Sequence, residues 1–539
     1  MDDFLKSIKW MVITGGVLSG LGKGAANAAL GRLLRDGNTI VPIKCDGYLN
    51  VDPGTMNPYE HGEVFVLDDG GEVDMDFGHY ERFMNINCKK TWNLTSGKIF
   101  NQILSKERRG DYLGKTIQVI PHVIDQIKNN FYEIARKERP DIMMIEIGGT
   151  VGDIENSWFI EAVRQLKKDL GKQNVLYTHL TYVPYLHNTG EPKTKPAQRD
   201  IALLREKGIS PDIVIFRSKD PLSDKQKQKL ESMCDLDTRS IISGVDVKNV
   251  YELPLRFEKQ GVLEIISERF GTKTKPDLEK WRALVDRINN PYNTVNLAIC
   301  GKYTELKDSY ASITEALTHA GANLDTRVKL TWVETSDLTE ETVSEKLAGI
   351  DGVIVPGGFG SRGVEGKIKV IQHARENNIP FLGLCYGLQL AVVEFARNVC
   401  RLTDAHTTEI DISTASPVVD ILPEQKEITE KGATMRLGSY DAQVLDNSIV
   451  QLLYGTGSVS ERHRHRYEVN PEYHSVLKES GLVLCGTSSD SRLVEFIEIP
   501  GHKYFVATQS HPELKSRLES PAPLFYGLVK ACLGCHRKT

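Results

Sequence analysis

The chain has 539 residues, which is too long for one ordinary hydrophobic core, so at least two domains are expected. Hydrophobic residues make up 40% of it, as in globular proteins. Charged residues make up 26% with a net charge of only −5, which argues against a general nucleic-acid surface but leaves room for small anionic ligands.

Membrane and secretory segments are not predicted. No apolar run approaches the roughly 20 residues that cross a bilayer, and the first residues lack the apolar stretch of a signal peptide. Nine cysteines are scattered through the chain, which favours a reducing compartment over a disulfide framework. We therefore expect a cytoplasmic protein with neither nucleic-acid nor membrane partners.

Two α/β regions follow each other along the chain. Short apolar stretches alternate with longer amphipathic segments, the pattern of parallel strands separated by helices. The stretches lie at 10–14, 141–147, 213–216, 263–266, 352–356, 381–384 and 504–508. We predict domains at 1–272 and 297–539, joined by a linker at 273–296. Each domain is expected to hold a mainly parallel sheet flanked by helices.

A glycine-rich turn follows the first predicted strand. Residues 12–24 read as a strand, a turn and a helix start, the usual cradle for nucleotide phosphates. The P-loop pattern is matched incompletely, because five residues separate Gly16 from Gly22 and Gly24 replaces the hydroxyl residue after Lys23. A tight connection between strand and helix is the alternative interpretation.

Acidic residues and one basic segment support a nucleotide site. Glu146 ends a predicted buried strand, where parallel sheets bind ligands. Together with Asp74 and Asp76 it offers oxygen ligands for Mg²⁺ on ATP phosphates, although each alone is more often a surface or capping residue. Residues 193–199 place three cations in a compact turn suited to a triphosphate, with a solvated loop as the alternative.

A candidate nucleophile stands in the second region. Cys385 lies between Gly383 and Gly387, after a predicted strand and before a predicted helix, as in a nucleophile elbow. The backbone N–H of Tyr386 is a candidate oxyanion donor. His511 would be the general base and acid, and Glu513 would orient it. The alternative is a buried free cysteine without catalytic function.

The order of 356–360 (PGGFG), 383–389 (GLCYGLQ) and 510–513 (SHPE) resembles class I glutamine amidotransferases. The resemblance implies a glutaminase that forms a γ-glutamyl thioester on Cys385 and releases ammonia. By the same resemblance, glutamine is held by Gly358, Tyr386, Gln389, Glu409 and Arg466. Arg466 ends a run of alternating Arg and His. This run could also be a solvated basic strand or a nucleic-acid contact. Pairing of Arg466 with the glutamine α-carboxylate is the favoured interpretation.

The chain is similar to the CTP synthase family over essentially its whole length. The motifs that carry the similarity are 19–24 (SGLGKG), 50–56 (NVDPGTM), 60–66 (EHGEVFV), 148–155 (GGTVGDIE) and 193–198 (KTKPAQ). The resemblance implies a P-loop-like and Rossmann-like amidoligase domain followed by the glutaminase. It also implies that Mg-ATP phosphorylates O4 of UTP and that ammonia displaces phosphate at C4 to give CTP, a step of pyrimidine biosynthesis.

The family resemblance also implies roles for individual residues. Lys23 and Lys44 would be catalytic, and Asp76 and Glu146 would hold Mg²⁺. ATP would contact Gly20, Leu21, Gly22, Lys23, Gly24, Ala25, Asp76, Val245, Asp246 and Val247. UTP and the feedback inhibitor CTP would contact Ser19, Asp153, Ile154, Glu155, Lys193, Thr194, Lys195, Pro196, Ala197, Gln198 and Lys229. GTP, an allosteric activator, would contact Phe359 and Arg362, and an ammonia gate would include Pro58, His61 and Val64.

The resemblance further implies a homotetramer and allows filaments. Gly47 stands where the family usually has proline, and Tyr386 and Leu388 replace commoner residues beside the nucleophile. The C-x-x-C-H pattern at 532–536 is taken as coincidence, so neither haem nor structural metal is expected. The alternatives in function are another glutamine-dependent ATP amidoligase and an inactive filament-forming homologue.

Overall fold

The computed structural model describes residues 2–56, 62–186, 188, 190–302, 307–358, 360–421 and 435–536. The chain forms two compact units. The first comprises Met1–Pro53 and His79–Glu279, and the second comprises Gly54–Gly78 and Lys280–Thr539. A stretch inside the predicted domain 1–272 therefore belongs to the second unit. The assignment of activities to the predicted domain bounds stays a prediction.

The strands before residue 246 are β1 (Lys9–Gly15), β2 (Ile40–Asp46), β3 (Phe65–Val66), β4 (Glu72–Val73), β5 (Asn93–Thr95), β6 (Ile142–Ile147), β7 (Val175–Tyr182), β8 (Tyr185–Leu186), β9 (Glu191–Pro192), β10 (Ile213–Ser218) and β11 (Ile241–Val245). The later strands are β12 (Asn293–Gly301), β13 (Thr326–Glu334), β14 (Gly352–Val355), β15 (Phe381–Leu384), β16 (Ala405–Thr407), β17 (Ser416–Ile421), β18 (Arg436–Val444), β19 (Ser458–His465), β20 (Tyr467–Val469), β21 (Val483–Ser488), β22 (Val494–Glu498) and β23 (Phe505–Thr508).

The α-helices before residue 290 are α1 (Asp3–Ser7), α2 (Lys23–Leu34), α3 (Asp76–Met84), α4 (Ser96–Arg108), α5 (Ile124–Glu138), α6 (Ser157–Leu170), α7 (Lys195–Glu206), α8 (Asp224–Cys234), α9 (Leu253–Lys259), α10 (Val262–Phe270) and α11 (Glu279–Asn289). The later helices are α12 (Ala311–Asn323), α13 (Glu340–Lys346), α14 (Val364–Glu376), α15 (Tyr386–Asn398), α16 (Ile449–Tyr454), α17 (His474–Glu479) and α18 (Pro523–His536).

The first unit is built on a seven-stranded sheet in the order β11-β10-β7-β1-β6-β2-β5, and each of these pairings is parallel. Strands β1, β2 and β6 are almost entirely buried apolar residues, as expected for a sheet covered on both faces. Because all seven strands run the same way, their carboxyl ends lie at one edge. That edge receives the glycine loop, Lys44 and Glu146.

The second unit is built on a nine-stranded sheet in the order β13-β12-β14-β15-β23-β22-β21-β18-β19. The pairings from β13 to β23 are parallel, and those from β23 to β19 are antiparallel. Two apolar clusters cover the sheet: one includes α14 and α15, and the other includes α12 and α18. The predicted α/β class is thus confirmed, with an antiparallel half that the alternation did not predict. The strand predicted at 263–266 is wrong, because this stretch is the apolar face of helix α10.

Two further observations concern the chain as a whole. Among the described parts, no helix has the length and apolar character needed to span a bilayer. The described cysteines at positions 45, 88, 234, 300, 385, 400, 485 and 532 carry free thiols.

Candidate active sites

Cys385 occupies a sharp turn between β15 and α15. Its backbone has φ 51° and ψ −100°, a conformation that residues other than glycine rarely adopt. The turn is fixed by the Cys385 N–H, which donates to the Thr508 carbonyl oxygen at 2.7 Å. Such strain is retained where the surrounding structure enforces it, commonly at functional sites. The geometry is that of the nucleophile elbow expected from the sequence.

The two flanking glycines are required by close packing. A Cβ on Gly383 would lie 2.8 Å from the Cβ of Ala507, and a Cβ on Gly387 would overlap the Val355 carbonyl oxygen. Both neighbours belong to adjacent strands, so neither can move without shifting the sheet. Glycine at these positions therefore allows α15 to start directly against the sheet.

We expect Gly387→Ala to displace the elbow. The added methyl group must push α15 away from β14, which should lower the melting temperature and reduce glutamine hydrolysis by about tenfold or more. Thermal denaturation and glutamate release would measure the two effects. Gly534→Ala is the control, since a Cβ there meets no atom within 4 Å. Unchanged hydrolysis in Gly387→Ala would contradict the packing argument.

His511 and Glu513 are hydrogen-bonded to each other beside Cys385. The Nδ1 atom of His511 lies 2.7 Å from Oε1 of buried Glu513, and its backbone N–H donates to the Arg462 carbonyl oxygen at 2.7 Å. Burial opposes protonation of His511, but Glu513 and a hydrogen bond with Cys385 outweigh it and raise the His511 pKa well above its usual value. The imidazole is thus held ready to carry a proton.

The raised pKa predicts a pH-dependent stability. A group whose pKa rises on folding stabilises the fold fully below its unfolded pKa, about 6.5 for histidine, and this contribution is lost as pH rises through the folded value. Glu513→Gln should therefore lower the melting temperature most between about pH 5 and 6.5, by roughly 2–3 °C per kcal/mol lost. The difference from wild type should shrink at alkaline pH. A difference that grows with pH would contradict this assignment.

Gln509 is a site residue that the sequence reasoning missed. Its fully buried side-chain amide donates to the Cys385 sulfur at 3.6 Å and accepts from Gln389 Nε2 at 3.3 Å. The sequence feature that could have indicated Gln509 is its position two residues before His511, just after the end of the last strand. Gln509 therefore supplies a hydrogen bond to the reacting atom.

The predicted glutamine-binding residues surround the same elbow. Glu409 accepts from the Gly360 N–H at 2.8 Å, and burial raises its pKa. Tyr386 donates its hydroxyl hydrogen to the Gly360 carbonyl oxygen at 3.4 Å. Gln389 donates to the Tyr467 carbonyl oxygen at 2.9 Å. These contacts join Gly360 to Glu409 and to Tyr386, the first residue of α15.

Arg466, Gly358 and Lys367 are three further residues at or beside the predicted glutamine site. Arg466 is half-buried at the bend between β19 and β20. Gly358 faces Lys367 Nζ, 3.8 Å from where a Cβ would stand. Burial lowers the pKa of Lys367 to about 8. Its ammonium lies 5.1 Å from the centre of the Tyr386 ring, so a cation borders the predicted glutamine site.

The predicted GTP and gate residues are described only in part. Arg362 is exposed and donates to Ser336 Oγ at 3.0 Å. Phe359, Pro58 and His61 lie outside the described residues. Val64 is half-buried, directly before β3.

In the first unit the glycine loop follows β1 directly. Gly20 and Gly22 have φ values of 74° and 85° with open space around them, and Gly22 precedes the first residue of α2. Lys23 is buried, and its ammonium donates to the Gly149 carbonyl oxygen at 2.6 Å. Leu21, Gly24 and Ala25 are buried beside it, whereas Ser19 is exposed. Backbone N–H groups at this helix start suit an anionic ligand.

Glu146 forms the centre of a buried polar cluster at the same sheet edge. It pairs with Lys44 in the parallel register of β2 and β6, and the two side chains lie 3.1 Å apart. Its Oε2 accepts from Tyr80 OH at 2.6 Å and from Asn27 Nδ2 at 3.3 Å. Asn27 Oδ1 is buried without a hydrogen-bond partner among the described residues. The cluster therefore retains an acceptor for a ligand or a bound water.

The predicted metal ligands, Asp76 and Glu146, are carboxylates, the donor type that Mg²⁺ takes at phosphate sites. Asp76 is half-buried at the first residue of α3, the helix that carries Tyr80. Within the described ranges, no group of three His, Cys, Asp or Glu side chains gathers to hold a metal. Mg²⁺ at phosphate sites takes only one or two carboxylates and completes its shell with phosphate and water. Asp76 and Glu146 are donors of that kind.

Residues predicted to bind UTP lie near the sheet edge. Lys193 forms an ion pair with Glu191 and lowers the pKa of that carboxyl, and Lys229 lowers it further. Thr194 accepts from Gln198 across the first turn of α7, which begins at Lys195 and includes Pro196 and Ala197.

The remaining predicted nucleotide contacts lie in two loops. Asp153 accepts from the Thr150 backbone and hydroxyl at 2.9 and 2.7 Å, and Ile154 and Glu155 are exposed beside it. A Cβ on Gly47 would overlap Asn156 Oδ1, which accounts for glycine at this position. Val245 ends β11, Asp246 pairs with Arg217 at 2.7 Å, and Val247 is half-buried.

A buried hydrogen-bonded relay that the sequence did not predict links the glycine loop to α7. Thr14 Oγ1 and Asp200 Oδ2 each lie 2.9 Å from a ring nitrogen of buried His179. Asp200 belongs to α7, and a Cβ on Gly16 would overlap its carboxylate. This relay ties β1, β7 and α7 together. Polar residues within an apolar strand were the only signal in the sequence.

Comparison with known proteins assigns the family. Residues 9–272 match the model of the CTP synthase N-terminus, and residues 305–531 match that of the class-I glutamine amidotransferases. A CTP synthase of Methanocaldococcus jannaschii is 54% identical over 538 residues, covering 98% of this chain and 99% of that protein. The chain belongs to the CTP synthase family.

Other members of the family are similar over the same extent. A CTP synthase of Methanococcus maripaludis is 53% identical, covering 98% of this chain and 100% of that protein. Among solved structures, the glutaminase domain of Trypanosoma brucei CTPS with bound acivicin is 36% identical, covering 44% of this chain and 94% of that chain with a TM-score of 0.42. The family expected from the motifs is thereby confirmed.

Proposed function

We propose that this chain catalyses the ATP-dependent amination of UTP at C4 to give CTP, using ammonia released from glutamine at Cys385. The observation that supports the proposal is the presence of two separate clusters of predicted catalytic residues in one chain: Cys385, His511 and Glu513 in one unit, and Lys44 with Glu146 beside the glycine loop in the other. Membership in the CTP synthase family over the full length supports the pairing of these sites.

The glutaminase reaction follows from the elbow. The Cys385 thiolate attacks the side-chain amide carbon of glutamine, and the backbone N–H groups of Tyr386 and Gly358 receive the developing oxyanion. His511 gives its proton to the departing nitrogen, which leaves as ammonia. A water molecule that loses its proton to His511 then hydrolyses the γ-glutamyl thioester and restores the cysteine. Glutamine itself would be held by Gln389, Glu409 and Arg466.

The synthetase reaction follows from the charged sheet edge. UTP O4 attacks the γ-phosphorus of ATP, ADP leaves, and ammonia then adds at C4 and displaces phosphate. Lys23 and Lys44 neutralise charge on the transferred phosphoryl group, so catalysis is mainly placement and electrostatics. Mg²⁺, held by Asp76 and Glu146, would withdraw charge from the phosphate oxygens.

Ligand contacts are proposed by family membership and location. ATP takes the loop 20–25 and 245–247, and UTP takes Ser19, 193–198 and Lys229. CTP shares the triphosphate contacts and adds 153–155, so inhibition by product would compete with UTP. GTP activation would involve Phe359 and Arg362. We also propose that the protein is a homotetramer, which could assemble further into filaments. A cytoplasmic location is proposed as well, and the free thiols of the described cysteines agree with it.

One assay tests the function. The protein is incubated with UTP, Mg-ATP and either glutamine plus GTP or an ammonium salt, and CTP is measured by chromatography. CTP from both nitrogen sources is expected. Glutamine hydrolysis without CTP from either source would favour another amidoligase, for which other acceptors are then tested. Absence of both reactions would favour an inactive homologue.

A further inference from the structure

Two carboxylates in segment 62–78 of the second unit are paired with two arginines of β19. Asp68 Oδ1 accepts from Arg462 Nε at 2.6 Å, and Glu72 Oε1 accepts from Arg464 Nε at 2.8 Å. Arg462 is fully buried, and Glu72 is nearly so. Residues two apart on a strand point to one side, so β19 presents both guanidinium groups to the segment.

The same two arginines contact the catalytic residues through their main chain. The Arg462 carbonyl oxygen accepts from the His511 N–H at 2.7 Å, and the Arg464 carbonyl oxygen accepts from the Cys385 thiol at 3.9 Å. Strand β19 ends the nine-stranded sheet, so carbonyl groups on its outer edge are available to residues outside the ladder. Strand β19 therefore contacts the main chain of His511 and the sulfur of Cys385 directly.

The segment is anchored at several further points. Asp68 also lies 3.6 Å from Lys515 Nζ, two residues after Glu513, and its Oδ1 accepts from Ser439 Oγ at 2.9 Å. Burial opposes ionisation of Asp68, but Arg462 and Lys515 outweigh it and hold its pKa below the usual value. Arg464 Nη2 also donates to the Gly54 carbonyl oxygen at 3.4 Å. Asp68 thus joins β18, β19 and the turn that carries Glu513.

We infer that Asp68 and Glu72 are positioning residues for the glutaminase reaction. They hold β19 where its carbonyl groups contact the Cys385 sulfur and the His511 main chain, and neither carboxylate is among the proposed glutamine contacts. This inference deepens the proposed function and rests on it for the identity of the reaction.

The experiment uses the full-length chain and the pair Glu72 and Arg464, because the Arg464 side chain keeps some exposure whereas Arg462 is fully buried. Glu72→Gln should lower kcat for glutamine hydrolysis by about tenfold, because displacing a reacting group by less than 1 Å already costs that much. KM for glutamine should change less than kcat, since neither Glu72 nor Arg464 is a proposed glutamine contact. Arg464→Gln should lower kcat equally, Arg464→Lys should restore part of it, and the double variant should be no worse than either single one.

Controls separate positioning from general destabilisation. Asp69→Asn removes a neighbouring exposed carboxylate and should behave as wild type. CTP formation from ammonium salt should persist in Glu72→Gln, and its melting temperature should lie close to that of wild type. Unchanged kcat in Glu72→Gln, additive losses in the double variant, or equal loss of the ammonia reaction would overturn the inference.

Failure of the inference is distinguishable from failure of the proposed function. If wild type makes CTP and the Glu72 and Arg464 variants hydrolyse glutamine normally, only the inference fails. If wild type hydrolyses glutamine without making CTP, the proposed function fails, and the kcat losses in the variants still support the positioning role.

Discussion

Cys385→Ala should abolish CTP formation from glutamine while leaving CTP formation from ammonium salt close to wild type. The sulfur is the atom that forms the thioester, so its loss should reduce glutamine hydrolysis by about four orders of magnitude or more. The first unit does not use this atom. Its site at Lys44 and Glu146 should therefore still aminate UTP when ammonia is supplied in solution.

The comparison needs a control cysteine and two assays on the same preparation. Cys400→Ala is suitable, because this half-buried thiol contacts the Val476 carbonyl oxygen and lies outside the elbow. Glutamate release and CTP should be measured for wild type and both variants. Equal loss of the glutamine and ammonia reactions in Cys385→Ala would contradict the model of two separate sites.

The sequence predicted those parts of the site that depend on local order. Gly383, Cys385 and Gly387 are neighbours in the chain, and the strand before them and the helix after them were visible as apolar patterns. His511 and Glu513 are two residues apart at the end of another strand. Parallel strands bring such ends to one edge, which is why short motifs sufficed to indicate the catalytic group and the nucleotide edge.

Contacts between distant parts of the chain were not predictable in the same way. Glu72 and Arg464 are 392 residues apart, and no periodicity relates them. The run of alternating Arg and His indicated a strand, but only Arg466 was assigned a partner, the α-carboxylate of glutamine, and Arg462 and Arg464 were assigned none. The structure places Arg462 and Arg464 against segment 62–78 and buries His463 on the opposite side, beside His465. Only the three-dimensional pairing shows that these cations are neither solvated nor available to nucleic acid.

Polar residues inside or just after apolar strands were also not predicted as site residues. His179 and Gln509 stand in or just after strands whose pattern is mainly apolar, so sequence reasoning passed over them. In the structure each is fully buried and makes two side-chain contacts, with Thr14 and Asp200 for His179. A buried polar side chain must find partners. That rule identifies such residues as members of a network once burial is known.

Glu146→Gln should affect the opposite reaction from Cys385→Ala: CTP formation should be lost and glutamine hydrolysis kept. The change removes the negative charge beside Lys44 and one proposed oxygen ligand of Mg²⁺, while the amide keeps the shape of the side chain. CTP formation should fall by about a hundredfold or more with glutamine and with ammonium salt alike, because both nitrogen sources need the same phosphoryl transfer. Glutamine hydrolysis should remain, since Cys385 and His511 are unchanged.

The buried position of Glu146 makes a folding control essential. Loss of one partner of a buried ion pair can destabilise a protein by about 3–5 kcal/mol, although a neutral isostere that still accepts from Tyr80 should cost less. Glu138→Gln is the matched control, because it removes a carboxylate paired with half-exposed Lys89 elsewhere in the same unit. A melting curve close to that of the control would show that the first unit is folded, and retained glutamine hydrolysis would show that the second unit is intact. Under those conditions, wild-type CTP formation in Glu146→Gln would rule out the buried cluster as the synthetase centre.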